Sequence, residues 1–505
     1  MSKMAKKKLQ KFSKYTKYSI AIIILFSIIV LGLTSVHHVS GDGCWHASIA
    51  RFIASEFKIP AHEQLGRDLP FWSPPLYHFL SAAVYLVFSP IGKDFANFAV
   101  KFISPVFGIL SLMFSFLTIK KLVNPRIAFY STIFLAFVPI FLDYSIFSYV
   151  EMTLTFFAVL SVYFIVNDKV FLSGTAAGLA MLAKYNGAFI IPVLIFICYK
   201  KSSGKKTFYK NAIIIGLASL IIASPWLLRN WILLGNPIWP FLNFIFHGVE
   251  ARSYGNLQIE NLVHPNIILF TYLGIFGVPD GNYRAFSFFD VPYFEFILVI
   301  WLIGTLIFIA PFFVGLFAKI TGGKDKKYVK RILIIWILSY LAVFLLYVVN
   351  VSWAVSRMIL PAFPALAVFW AFGFEKLINS RFRKIVIVMV VLVISGLIFS
   401  EVFKISASAN AWGFYKEDFE WVKSSTKQDA VFIVVSQCIP YNIERNSLFF
   451  SDENINKADY IWVNQNFKLD AYSILNEHAL NTIRSRNYKV AYSNKKTGTA
   501  IYQIR

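Results

Sequence analysis

The sequence predicts a polytopic α-helical membrane protein of about eleven transmembrane helices, followed by a small α/β domain outside the membrane. Three observations predict it. The chain of 505 residues is 57% hydrophobic and 15% charged, against about 45–50% and about 25% in soluble domains. The apolar residues gather in long runs of bilayer-spanning character. The basic residues behind the net charge of +23 fall in short clusters between those runs. That is the pattern of cytoplasmic loops, not of a nucleic-acid-binding face.

The runs lie near 17–36, 98–119, 126–142, 151–166, 170–183, 187–199, 211–228, 291–318, 332–350, 357–377 and 384–402. Several fall short of the roughly 20 residues a straight span wants, so charge must settle the parity. With the Lys-rich amino terminus in the cytoplasm, the inner loops are 120–126, 167–169, 200–210, 319–331 and 375–384. They read KKLVNPR, NDK, KKSSGKKTFYK, KITGGKDKKYVKR and EKLINSRFRK. Each holds lysine or arginine, as the positive-inside rule demands. This supports eleven spans and a carboxyl terminus outside. The first run resembles a signal peptide. It is long and shows no small-residue cleavage site, so it reads as a retained anchor.

PPLYHFLSAAVYLVF, 74–88, is too short to span, and counting it would put KKLVNPR outside. It reads as a helix lying in the interface, with Ser73 as cap and Pro74 in the first turn. Just before it, Trp45, Ile49, Phe52, Ile53 and Phe57 recur at helical spacing, while His46, Arg51, Ser55 and Glu56 fall elsewhere. The first outer loop, 37–97, therefore carries two interfacial helices. A second long outer loop spans about 230–290. These features make residues 1–402 one membrane unit. From 403 to 505 Lys, Asn, Asp and Glu become common. VFIVVSQ, DYIWVN, KVAYSN and TAIYQI read as strands, with helices near 415–425 and 470–484 and a hairpin turn at NKKTGT. No catalytic motif stands in this domain, which points to a structural or acceptor-docking role. The 3 cysteines make no disulfide framework. Cys198 lies in an apolar run. Cys44 and Cys438 both fall in outward segments and are free to pair, though nothing in their spacing selects it.

Polar groups near membrane depth are costly and usually functional. Asp42 stands between two glycines just past the first run. Glu151 opens the fourth, with Asp143 close by. Lys184 lies between two runs in GLAMLAKYNGAF. Arg229 and Arg357 lie at outer ends, in PWLLRNWILLGNP and SRMILPAFP. Singly, each has a plainer reading: a helix cap for Asp42, a helix-dipole acid for Glu151, snorkelling anchors for the arginines. Together they put two carboxylates and three cations on one face of the membrane. That suits an acid–base step on a lipid-borne phosphate. His37, His38, Asp42, Cys44 and His46 make a cluster of metal-ligand types, but the spacing matches no closed zinc site. A divalent ion held by Asp42 and a glutamate is the other metal option.

The order of these motifs carries a resemblance. GDGCWHASIARFIA, FWSPPLYHFL, YVEMTLTFF, the lysine after GLAML, PWLLRNWILLGNP and SRMILPAFPAL together resemble the GT-C membrane glycosyltransferases over about 17–400. Within them the chain looks most like the branch of the dolichyl-phosphate-mannose protein mannosyltransferases and lipid A aminoarabinose transferases. The resemblance implies a polyprenyl-phosphate sugar as donor and a protein, lipid or glycan as acceptor, with no nucleic acid. Asp42 matches the first-loop acid that takes the acceptor proton. Glu151 matches the second acid, near acceptor or metal. Lys184 matches a lysine that meets the donor phosphate, with Arg229 and Arg357 near it. The chain departs from the family at Gly43, where a second acid is common, and at Ser73, where His or Lys is common. His78, one helical turn along, is placed to compensate. No WWD-type motif is present, which argues against an oligosaccharyltransferase. The implied reaction is an inverting transfer of a hexose or pentose. The rival class is a lipid or glycan transporter or flippase. It calls for internal repeats and mid-bilayer helix breaks, which the sequence does not show.

Overall fold

The computed structural model describes residues 13–63, 70–249, 259–263, 265–277, 294–318, 326–351, 356–465, 470–486 and 488–504. Among the described residues seven helices are long and apolar enough to cross a membrane, and the bent pair Pro125–Phe137 and Pro139–Ile146, taken as one span, makes an eighth. The bend of 62° falls at Val138–Pro139, where proline lacks the N–H that would continue the ladder. Local chemistry sets several ends. Asn124 accepts from the N–H groups of Arg126 and Ile127, with Pro125 opening the helix. Lys205–Leu234 stops at Gly235, whose φ of 67° is left-handed.

The count of eleven spans rests on segments that are helical but short. Glu151–Val166, Val170–Ala183 and the 3₁₀-plus-α run from Tyr185 to Lys201 fall below span length. Glu151–Val166 is buried along most of its length among its neighbours, so its length follows the protein around it and not the bilayer. Its neighbour Val170–Ala183 meets Lys205–Leu234 through Gly174 and Gly178. A Cβ on either glycine would stand 2.7 Å from the facing helix, the close approach that small residues four apart permit. The expected inner loops meet one another: Arg126 pairs with Glu375 at 3.2 Å, and Lys201 with Asp168 at 2.7 Å. Of the expected loop 319–331, residues 319–325 lie outside the described set, as does much of 230–290.

The two helices of the first loop form as Asp42–Glu56 and Leu76–Phe88. They pack on each other through Ile49, Ile53, Ala54 and Ala82. The second starts after Pro75 with no side-chain cap, so Ser73 does not serve as one. The last long helix does not end near 402 but runs from Arg383 to Gly413. The charges at the start of that stretch pair inside the bundle. Lys404 sits between Asp143 and Glu401, all three buried.

The carboxyl-terminal domain is a five-stranded sheet: β1 (Val431–Val434), β2 (Asn446–Phe449), β3 (Tyr460–Asn464), β4 (Lys489–Asn494) and β5 (Thr499–Gln503), in the order β2-β1-β3-β5-β4. β1 is parallel to β2 and β3; β5 is antiparallel to β3 and β4. The hairpin turns at Gly498, φ 76°. Buried Asp418 on helix Lys416–Ser425 accepts from Tyr492, Asn494 and Thr499, pinning that helix to the hairpin. β2 was not expected: NSLF is four residues with two polar ones, below what alternation can signal. The domain's core also takes in Val39, Cys44 and Ala47 of the first loop.

Candidate active site

The helix Asp42–Glu56 starts at Gly41, whose φ of 53° is left-handed. A Cβ there would lie 2.5 Å from the Tyr149 hydroxyl oxygen. What the first glycine admits is therefore Tyr149, and the Asp42 N–H donates to that oxygen at 3.2 Å. The Asp42 side chain does not cap its helix. One oxygen, Oδ2, accepts from Arg357 Nη2 at 2.8 Å, and the other, Oδ1, from Gln437 Nε2 at 3.4 Å.

Arg357 comes from a 3₁₀ turn, Ser356–Ala362. Its guanidinium lies over the Tyr149 ring, 5.3 Å from the centroid, and its Nε reaches Glu151 Oε1 at 3.5 Å. The same Glu151 oxygen takes Lys184 Nζ at 2.8 Å. Glu151 is the first residue of its helix, and Lys184 immediately follows Val170–Ala183. Two helix ends thus present an acid and a base to each other. The result is one chain of contacts, Gln437–Asp42–Arg357–Glu151–Lys184, built from five distant segments. Glu151 is 2% exposed, while Asp42 keeps 44% of its side-chain surface open. Asp42 is therefore hemmed in by protein yet still reachable. Burial raises its pKa, but the Arg357 charge and the hydrogen bonds from Arg357 and Gln437 outweigh that and hold it at about 2.

Arg229 and His78 lie outside this network. Arg229 donates to the carbonyls of Phe71 and Pro60 and stacks over Trp226. It ties the first loop to the bundle. His78 Nε2 meets His46 Nδ1 at 2.9 Å. Burial pushes the His46 ring down to about 3 and His78 well below the usual histidine range, so both are neutral. Asp143, near Glu151 in sequence, pairs with Lys404 instead. Tyr149 and Gln437 were missed by the sequence reading. Tyr149 stands inside the YVE motif and could have been found there; Gln437 carries no motif.

A divalent ion between Asp42 and Glu151 does not fit these residues. The Arg357 guanidinium already lies between the two carboxylates, and Lys184 balances the second charge. The histidine-rich cluster is dispersed as well. Cys44 is bonded to Cys438, His38 meets Asn442 at 3.1 Å, and His46 meets His78. Among the described residues no group of three His, Cys, Asp or Glu side chains is placed to hold a metal.

Comparison with known proteins follows the same lines. Residues 73–228 match the family model of dolichyl-phosphate-mannose-protein mannosyltransferase. A protein of Aquifex aeolicus (strain VF5), described as uncharacterized, is 25% identical over 254 residues, 49% of this chain. The match spans 56% of that relative's length. Among solved structures, ArnT from Cupriavidus metallidurans bound to undecaprenyl phosphate superposes with a TM-score of 0.62, covering 97% of this chain and 98% of that one at 11% identity. The archaeal oligosaccharyltransferase AglB from Archaeoglobus fulgidus, in complex with an inhibitory peptide and a dolichol-phosphate, gives 0.59, covering 98% and 75% at 13% identity. At such identities the likeness is one of fold. The chain is a multi-pass membrane protein with an ArnT-like GT-C fold, within which residues 73–228 match the mannosyltransferase family model.

Proposed function

We propose that this protein transfers one sugar from a polyprenyl-phosphate carrier to an acceptor hydroxyl outside the cytoplasm. One observation carries the reading: the acid and the cations that such a reaction needs, Asp42, Arg357 and Lys184, meet through Glu151 in one network. The acceptor oxygen attacks the sugar's anomeric carbon as the bond from that carbon to the phosphate oxygen breaks. Asp42 takes the acceptor proton, a contribution of about 10²–10⁴-fold. Charge builds on the departing lipid phosphate, and Arg357 and Lys184 stabilise it in a partly enclosed site. Glu151 positions both cations. A single displacement inverts the anomeric centre, by the logic that separates inverting from retaining glycosidases. Arg229 fixes the first loop, and His46 and His78 pack neutral behind Asp42.

Two features support an orientation with the sheet domain outside. The Lys- and Arg-bearing loops lie where the positive-inside rule puts the cytoplasm. The Cys44–Cys438 disulfide belongs to an oxidising compartment. A tag after Arg505 should react with membrane-impermeant reagents in intact cells; modification only after lysis would overturn this. To test the activity, polyprenyl-phosphate hexoses and pentoses labelled in the sugar are presented to membranes with a cell-envelope fraction. Label should enter envelope material or water-soluble sugar. If no donor loses label faster than with the Asp42→Ala protein, the proposed function is wrong.

A further inference from the structure

The sheet domain is joined to the first loop around Asp42. Gln437 precedes the short helix Cys438–Ile443 and is 7% exposed. Its amide meets Asp42 Oδ1 at 3.4 Å. The next residue, Cys438, is bonded to Cys44, two positions after Asp42 and 394 residues away in sequence. Further along, Arg51 donates to the Tyr441 carbonyl at 3.0 Å and lies 4.3 Å from the centre of its ring. His38 meets Asn442 at 3.1 Å. Val39, Cys44 and Ala47 share one hydrophobic core with Phe432, Cys438 and Ile439. The Asp42 helix is thus packed into the sheet domain on one side and ion-paired to the bundle on the other.

We infer that the sheet domain completes the active site: Gln437 is a positioning residue that aims the Asp42 carboxylate, and the Cys44–Cys438 disulfide locks it there. The inference rests on the role proposed for Asp42. Chemistry favours an amide here. A carboxylate has about four acceptor positions on two oxygens. Arg357 takes part of Oδ2 and supplies charge. Gln437 fixes Oδ1 without adding charge, so the carboxylate is oriented but not further neutralised. The disulfide acts one residue from Gln437 and two from Asp42, leaving little backbone slack between the donor and its acceptor.

The test uses the full chain in detergent and reads Asp42 directly. Carboxyl groups are labelled with a carbodiimide and glycine ethyl ester, and peptides are quantified by mass spectrometry. Gln437→Ala and the double variant Cys44→Ala/Cys438→Ala should each label Asp42 about tenfold faster than the parent, the scale of a lost hydrogen bond to a charged group. Exposed Asp452 should label at the parent rate. Gln437→Glu gives a signature that a merely structural role would not. Its carboxyl donates only when protonated, so the Asp42 rate, taken relative to Asp452 at each pH because carbodiimide coupling itself slows as pH rises, should be low at pH 5 and high at pH 7.5, while the parent's ratio stays flat. Unchanged Asp42 labelling in all three variants overturns the inference, and so does a parallel rise at Asp452. Turnover separates it from the proposed function. Gln437→Ala should lower kcat at unchanged donor KM. Full turnover in that variant sinks the positioning role alone. A parent that turns over no donor sinks the function, and the labelling still reads Gln437.

Discussion

Half-buried Arg357 and buried Lys404 each sit between two carboxylates, and removing them should have opposite consequences. Arg357 bridges Asp42 and Glu151; Lys404 bridges Asp143 and Glu401. In Arg357→Ala each acid keeps a partner: Gln437 at 3.4 Å for Asp42 and Lys184 at 2.8 Å for Glu151. Asp42 also has 44% of its side chain open to water. The destabilisation should therefore be about 1–2 kcal/mol, short of the about 3–5 kcal/mol for stranding a buried charge. Turnover should fall by about 10²–10³, because a donor to the developing phosphate charge is gone. In Lys404→Ala, Asp143 and Glu401 are 1% and 2% exposed and lose the cation between them. That loss should reach about 3–5 kcal/mol, with turnover per folded molecule near the parent's. Unfolding of the solubilised protein followed by tryptophan fluorescence, with turnover normalised to folded protein, measures both. If Arg357→Ala is as unstable as Lys404→Ala yet keeps its turnover, Arg357 is a structural clamp and the catalytic reading fails.

Asp42→Asn should fold and bind donor normally but lose about 10²-fold or more in turnover; near-parent turnover would make Asp42 a packing residue. Lys184→Ala should weaken binding of polyprenyl-phosphate sugar, and unchanged donor affinity would remove Lys184 from the phosphate site. Chelators should leave turnover unchanged, because Arg357 occupies the space between the acids; a loss restored by a divalent ion would show that Arg357 moves aside for a metal. Because Asp42 is held at about 2, its ion pair is fully present above the ordinary carboxyl pKa near 3.8 and is lost as pH falls towards 2. So kcat/KM, which reports the free enzyme, should show no acid limb from Asp42 above about pH 3 and no inflection near 6.5 from His46 or His78. A histidine-like inflection that disappears in His46→Gln would assign the proton to His46.

The order of motifs along the chain made the fold legible, because span parity and loop charge are local properties. Asp42, Glu151, Lys184 and Arg357 were legible as costly groups at helix ends. Their pairing was not, since nothing in sequence spacing says that a 3₁₀ turn at 356–362 inserts its arginine between residues 42 and 151. Arg229 shows the converse. It stands in as suggestive a motif as Arg357, but the first loop leaves the carbonyls of Pro60 and Phe71 turned towards it. Gln437 was hidden for another reason: it is one polar residue at the end of a strand, in a domain that bears no motif. The shortness of the helices Glu151–Val166 and Val170–Ala183 was not legible in the same way, because apolar packing and apolar solvation read alike.

The resting network is balanced, two acids against two cations, and that balance has a consequence for catalysis. A carboxylate held near pKa 2 is a poor proton acceptor, and a guanidinium already paired with two carboxylates is a weaker phosphate ligand. Both handicaps are relieved by one event. On the proposed function, an incoming lipid phosphate would bring negative charge to Arg357 and Lys184, and each contact it made with Arg357 would be drawn from the pair with Asp42. As that pair loosens, the force holding the Asp42 carboxyl down weakens and its basicity rises towards that of an ordinary carboxylate. Glu151 stays at 2% exposure with Lys184 at 2.8 Å, so the cations do not drift from the phosphate position as the pairing changes. Gln437 supplies no charge and is untouched by the exchange, which is what keeps the freed carboxylate aimed. On the proposed function, donor binding would therefore switch on the base, and a bare site without donor would have little power to deprotonate an acceptor.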